Sequence, residues 1–188
     1  ERNFKRISKI INKFITNTKA KNILEIGSAY GFFLNMVKDK FNIVKGLEIC
    51  RDAAEYSKSQ FGIDVKDVDL LDWDFDQHKY DVVCMWDVIE HLTSPQKYLR
   101  EISKNMNTDG IIAFTTGDIG SLVAKVRGKN WRQIHPPSHV HYFNKKTVEK
   151  LLAQNGFKII SFGHLGMFRS IEMMAYIIFV QKLKIPFL

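Results

Sequence analysis

The sequence predicts an α/β fold: a doubly wound, mostly parallel sheet of seven strands, with helices on both faces and an antiparallel hairpin at one edge. Three observations carry this expectation. Strand-like and helix-like patterns alternate along most of the 188 residues, as parallel strands joined by helical crossovers require. Tyr80–Trp86 (YDVVCMW) is a nearly continuous apolar run, suited to a strand buried on both faces. Residues 22–31 (NILEIGSAYG) join a similar run to a turn with two spaced glycines, and a helical pattern follows.

The elements follow in chain order. Residues 2–16 set Phe4, Ile7, Ile10, Ile11, Phe14 and Ile15 at helical spacing, which makes an amphipathic helix. The first strand covers 22–26 and its helix 32–41. A second strand at 43–49 leads to a helix at 52–61 carrying Ala53, Ala54 and Tyr56. The third strand lies near 65–68 and ends in Asp69, and Tyr80–Trp86 is the fourth. Ser94 is placed to cap, and Pro95 to begin, a helix that runs to Met106. Residues 107–110 (NTDG) have turn chemistry and lead to a fifth strand at 111–116. An irregular region spans 117–142. Asn144 then caps a helix over 145–154, with Gly156 at its C′ position. Strand patterns at 157–162 and 173–180 have no helix between them, hence the hairpin. No repeat or linker breaks the pattern, so 1–188 reads as a single domain, with 1–20 as an N-terminal helical segment and 117–142 as a cover over the site.

Composition narrows the class. Cys50 and Cys84 lie in strand-like apolar runs and read as buried thiols, not as a secreted disulfide scaffold. No signal peptide precedes the first strand, and no apolar run reaches the ~18–20 residues of a membrane span, so a soluble cytoplasmic protein is expected. The net charge of +8 is the one skewed number. Its sources include Lys5, Arg6, Lys9 and Lys13, and then Lys125, Arg127, Lys129 and Arg132. These groups suit an acidic partner such as RNA, a phosphorylated lipid or a nucleotide-sugar, or else are solvated helix faces. Aromatic residues are not interleaved with them as base stacking requires, which favours the solvated faces.

Open α/β sheets bind ligands beyond the carboxyl ends of their strands, where the strand order reverses. The first strand ends in Glu25, and Gly27, Ser28, Ala29, Tyr30 and Gly31 form the turn. A glycine turn before a helix offers N–H groups to electron-rich atoms. Glu25 would repel a pyrophosphate, however, and favours a ligand with a positive charge. The second strand supplies Glu48 and Ile49, about twenty residues on, where a carboxylate can accept from a ribose diol. Asp69 is placed to accept from an exocyclic amine, with Leu70 beside it for an adenine face, and Trp86 and Asp87 end the fourth strand. A nicotinamide dehydrogenase would need glycine where Leu34 stands.

This set, together with Trp86-Asp87-Val88-Ile89-Glu90-His91-Leu92, resembles the class I S-adenosylmethionine-dependent methyltransferases, which have a Rossmann-like α/β/α sandwich. It is most similar to the subgroup with a DVIEHL-type segment and a later H-x-HYF segment, here His139-Val140-His141-Tyr142-Phe143. That subgroup includes ubiquinone-pathway O-methyltransferase relatives. The resemblance implies S-adenosylmethionine as cofactor and S-adenosylhomocysteine (SAH) as product. It places Glu25, Gly27, Ser28, Ala29 and Gly31 along the methionine and ribose side, Glu48 and Ile49 at the ribose, Asp69 and Leu70 at the adenine, and Trp86 and Asp87 near the sulfonium. The family's loop has a glycine where this chain has Ala29, and alanine fits there if the residue avoids positive φ.

If the segment after the fourth strand is helical, Asp87, Glu90 and His91 share a face and suit a divalent metal. Certain relatives use such a segment for a metal, completed by a later histidine, here His139 or His141. The alternative is that Glu90 and His91 hydrogen-bond within the fold and no metal binds. Trp131, His135 and Tyr142 in the cover segment suit positioning of an acceptor, or anchoring of the loop. His91, His135, His139 and His141 make an oxygen nucleophile on a small-molecule acceptor the expected target, because a hydroxyl needs a base. An RNA 2′-O-type methyltransferase with a metal site and a non-catalytic cofactor-binding module remain as alternatives. The acceptor stays open among a quinone precursor, a sugar, a lipid and a tRNA.

Overall fold

In the computed structural model, which describes residues 2–75 and 78–163, β1 (Asn22–Ile26) lies at the centre of a five-stranded parallel sheet. The other strands are β2 (Ile43–Leu47), β3 (Asp64–Lys66), β4 (Tyr80–Trp86) and β5 (Met106–Thr115), in the order β3-β2-β1-β4-β5. Every pairing is parallel. The order reverses between β1 and β4, so the crevice for a ligand opens beyond the ends of those two strands. Glu25 stands level there with Gly46 on β2 and Cys84 on β4.

Successive residues of β1 and β4 feed two separate cores, which is why these strands read as unbroken apolar runs. Ile23, Val82 and Cys84 pack with α1 (Arg2–Ile11), α2 (Phe32–Val37) and α3 (Arg51–Phe61) through Ile7, Ile11, Phe33, Val37 and Ala54. Leu24, Ile26, Val83 and Met85 pack on the other face with α4 (Pro95–Lys104) and α6 (Lys145–Ala153), through Leu99, Ile102, Val148 and Leu151. Helices therefore cover both faces, as the alternating pattern requires. Asn144 caps α6 in a capping box with Thr147. Gly156, at φ +83°, ends it with paired bonds from Gly156 N–H to Ala153 O and Phe157 N–H to Leu152 O.

Several boundaries differ from the sequence expectation. The first helix ends at Ile11, although Ile15 is still buried. Residues 38–40 after α2 tighten into a 3₁₀ turn. Ser94 makes no side-chain cap, and Pro95 alone marks the start of α4. Residues 107–110 are no turn between elements but part of β5, in a bulge: Tyr80 pairs with Met106 and Val82 with Ile111. Cys84 is buried, but Cys50 is exposed, because β2 stops at Leu47 before reaching it. The region 117–142 contains a short helix, α5 (Leu122–Arg127), capped by Ser121. Residues 157–162 run without regular structure, and 173–180, the last expected strand, lies outside the described residues. No helix among the described residues is long and apolar enough to cross a membrane.

At the opposite end of the sheet, Asp81 ties three segments together. It accepts from the Asn22 N–H (2.8 Å), the Asn107 amide (2.8 Å) and the Lys21 ammonium (3.1 Å). Burial works to raise the Asp81 pKa, but these donors outweigh it and the net shift is downward. The stabilisation is therefore present above the ordinary carboxylate pKa and is lost as pH falls through the lowered one. Asp81→Ala is expected to cost about 2–3 kcal/mol at neutral pH. In acid melts the variant should lack the part of the decline that Asp81 protonation causes, so that the two curves converge as pH falls.

Candidate active site

Glu25 ends β1 inside the protein, 2% exposed, and its Oε2 has no hydrogen-bond partner. Burial pushes its pKa well up. The Trp86 indole opposes this, although Nε1 forms no hydrogen bond of standard geometry, and the nearby Glu48 carboxylate reinforces it. Trp86 is held edge-on to Phe33 of α2, with ring centroids 5.1 Å apart. An orphaned acid at the reversal point is costly unless something cationic meets it.

The turn after β1 is built by close approach. Gly27 (φ +68°) faces Val88, whose Cγ2 would lie 2.6 Å from any Cβ there. Gly31 (φ +71°) packs on Ser57 of α3 in the same way, at 2.6 Å from Oγ. Gly46 of β2 leaves room for the buried Ser28 side chain. Ala29 adopts φ +46°, so the condition under which alanine would fit without strain is not met. The strain, of order 1–2 kcal/mol, is held by Glu48, whose Oε2 accepts from the Ala29 N–H at 2.8 Å. Glu48 Oε1 accepts from the Cys50 N–H at 2.9 Å.

The loop's N–H groups are therefore largely used within the fold. Gly27 and Ser28 both donate to Leu47 O, Ala29 to Glu48 and Gly31 to Ser28 O. The expectation of N–H groups open to an electron-rich ligand fails for these four residues, because β2 ends beside the turn and its last carbonyl faces them.

Asp69 shows a partnership absent from the sequence reading. Its Oδ1 accepts from the Leu71 N–H (2.8 Å), and Oδ2 accepts from the Tyr98 hydroxyl of α4 at 2.5 Å. Burial and then the Asp69 carboxylate push the Tyr98 phenol upward. A tyrosine on the buried face of a predicted helix implies some partner for its hydroxyl, and that was the available signal. The Leu70 side chain lies in the core, 2% exposed, while Leu71 and Ile49 are exposed near the crevice.

Beyond β4 the chain turns through Asp87 at φ +54°. Asp87 Oδ1 accepts from the Thr115 hydroxyl at 2.9 Å. The positive φ prevents a helix over residues 87–91, and only Ile89–His91 forms a 3₁₀ turn. The candidate set of Asp87, Glu90 and His91 is therefore not what converges. Glu90, His91 and His139 do: one ligand-type atom of each lies within 4.8 Å of the others. These are the residues able to hold a divalent cation among those described.

His139 is brought in because Val140 N–H and His141 N–H both donate to the Glu90 carbonyl, at 3.0 and 3.1 Å. His91 Nδ1 lies 2.8 Å from Ser138 O, and His139 Nδ1 lies 2.8 Å from Gln133 O. Carbonyls only accept, so Nδ1 carries the proton in each neutral ring and Nε2 is left as an acceptor. The two rings meet edge-to-face with centroids 4.5 Å apart. His135 is exposed, 6.0 Å from His139, and His141 is half-buried. Both Glu90 carboxyl oxygens and the Thr116 hydroxyl are buried without standard hydrogen bonds. Burial raises the Glu90 pKa; its own N–H, Thr116 and His91 oppose this, and Asp87 adds to it. A narrow cavity here is lined by Glu90, Thr116, Trp131, Gln133, His139 and His141. Gly117 lets Trp131 close over it, since a Cβ would lie 3.2 Å from the indole Cη2.

Residues 1–162 match a family described as a methyltransferase domain. No curated protein matches the chain by sequence. Among solved structures it is similar to a SAM-dependent methyltransferase from Thermotoga maritima, described as a possible histamine N-methyltransferase. Identity is 17% and the TM-score 0.66, over 83% of this chain and 71% of that one. It is also similar to the plantazolicin methyltransferase BpumL in complex with SAH, at 15% identity and TM-score 0.67, over 83% and 65% of the two chains. A third likeness, to the sugar N-methyltransferase KedS8 from Streptoalloteichus, has 14% identity and TM-score 0.55, over 64% and 50%. At these identities the likeness is one of fold, and the chain spans about half of the third structure's length.

Proposed function

The chain belongs to the methyltransferase-domain family and is an S-adenosylmethionine-dependent methyltransferase; we propose that its target is an oxygen nucleophile on a small-molecule acceptor. The buried Glu25 carboxyl at the reversal point, whose Oε2 has no hydrogen-bond partner, fits a ligand with a cationic end, and the glycine cradle at Gly27 fits one that comes close to the backbone. When bound, S-adenosylmethionine supplies a methyl group already activated on a sulfonium.

The protein's own work is then binding, alignment and proton handling. Glu25 faces the positive end of the cofactor. Glu48, fixed by two N–H donors, keeps lone pairs for a ribose diol, and Asp69, held by Tyr98 and Leu71, keeps one for an amine. Gly27, Ser28, Ala29 and Gly31 shape the turn, Ile49 flanks the adenosine side with Leu70 backing it from the core, and Trp86 and Asp87 border the transfer position. The segment 117–142, anchored at the Glu90 carbonyl, excludes water from the cavity. His139 lines the cavity and His91 packs edge-to-face against it; their Nε2 lone pairs take the acceptor proton, with His135 and His141 nearby.

That pair of oriented acceptor nitrogens is the observation that supports an oxygen target. A neutral amine or carbanion acceptor needs less help from a base. His91→Ala and His139→Ala are each expected to lower kcat by about 10²–10⁴-fold on a hydroxyl acceptor, with SAH binding retained. Full turnover in both variants would sink the oxygen reading. The Glu90, His91 and His139 convergence also supports a second reading, in which a divalent cation binds there and lowers the acceptor's pKa. Dialysis against a chelator separates the two: loss of activity restored by added metal supports the cation.

A further inference from the structure

The helix α5 is turned inside out. It buries only Ala124, at 5% exposed, and presents Leu122, Val123 and Val126 to solvent at 76%, 58% and 78%. Leu122 and Val126 are among the most exposed large apolar side chains of the described residues. They are flanked by the exposed Lys125, Arg127, Lys129 and Arg132. Residues 119–148 as a whole contain six Lys and Arg and no Asp or Glu. The helix is joined to the strip that lines the cavity, since Gly117 precedes it and Trp131 and Gln133 follow.

We propose that this face docks on an anionic lipid surface, with the aliphatic side chains entering the headgroup region and the four cations meeting phosphate. Aliphatic residues beside cations, on one exposed patch, are what an interface between water and hydrocarbon rewards. The acidic alternatives fit less well. Single-stranded nucleic acid would stack on aromatic rings, and this helix offers none. A second copy would bring the same four cations face to face across a twofold axis.

The test is co-sedimentation of the full chain with vesicles of phosphatidylcholine alone and of phosphatidylcholine with about 30 mol% phosphatidylglycerol, which adds the negative surface potential that attracts basic residues. The expected result is binding to the anionic vesicles, with each basic residue contributing about fivefold in partition at low salt. Leu122→Ser, Val123→Ser and Val126→Ser combined should lower partition at least tenfold. Because those side chains are exposed, the variant should keep its thermal midpoint. Lys125→Glu with Arg127→Glu should abolish the preference for phosphatidylglycerol. Equal binding of wild type to both vesicle types, or unchanged partition of the triple variant, overturns the proposal. So does a failure to bind either vesicle alongside a salt-sensitive RNA gel shift, or alongside a dimer that the triple variant loses.

Discussion

Glu25→Gln is expected to raise the thermal midpoint of the protein and at the same time to weaken SAH binding by about 10- to 100-fold. Both effects come from one buried carboxyl. Burial holds the Glu25 pKa well above its ordinary value, with Glu48 adding to the shift. A group raised in this way gives its full stabilisation below the unfolded pKa of about 4.3, and loses it as pH climbs through the folded pKa. Glutamine keeps the shape and does not titrate, so the gap between variant and wild type should widen from pH 5 to pH 8. The binding loss follows from the same removal of charge, since a charge-assisted contact to a cation is worth about 1.5–3 kcal/mol. Thermal melts across pH and calorimetry with SAH read the two halves separately. Undiminished SAH affinity at pH 8 would falsify the role given to Glu25.

Gly31→Ala is expected to lower stability by about 2–4 kcal/mol, or about 5–15 °C in thermal midpoint, and to abolish tight SAH binding. The new Cβ would sit at φ +71°, 2.6 Å from Ser57 Oγ and 3.0 Å from Ser57 Cβ. Two causes are thus combined, backbone strain and overlap with α3. Adding Ser57→Gly should recover the overlap part and leave the strain, and a double-mutant cycle measures the split. Ala29 supplies an internal control. It already carries a Cβ at φ +46°, so Ala29→Gly should change stability by less than about 1 kcal/mol. An unchanged midpoint in Gly31→Ala would show that the turn and α3 are not in the tight contact described.

The residues that identified the fold were those whose pattern is set locally. β1 and β4 occupy the ranges expected from their apolar runs, since both faces of each are buried and no other element competes for them. Where tertiary pairing wins, the reading fails. Residues 107–110 have the composition of a turn, yet Asn107 is held by Asp81 and the stretch is drawn into a bulged β5. The helix at Leu122–Arg127 was not legible because its apolar residues face solvent and build no buried stripe. In the site, the acids at the strand ends were identifiable, but their partners were not. Tyr98 and Asp69 are separated by 29 positions, and only the packing of α4 brings them together. Asp87 drops out of the histidine cluster because its backbone turns left-handed, which no spacing rule foresees.

The turn after β1 spends its donors on Leu47 and Glu48 before any ligand arrives. A triphosphate or dinucleotide entering this crevice finds its usual backbone cradle already satisfied and two carboxylates in the way. The adenosine half of such molecules is common currency in a cell, and a site that recognised it alone would be clogged by them. Nucleoside triphosphates are therefore expected to bind poorly at their phosphate end. Turnover is then expected to follow the supply of methyl donor and the build-up of SAH, and to be insensitive to the energy charge of the cell.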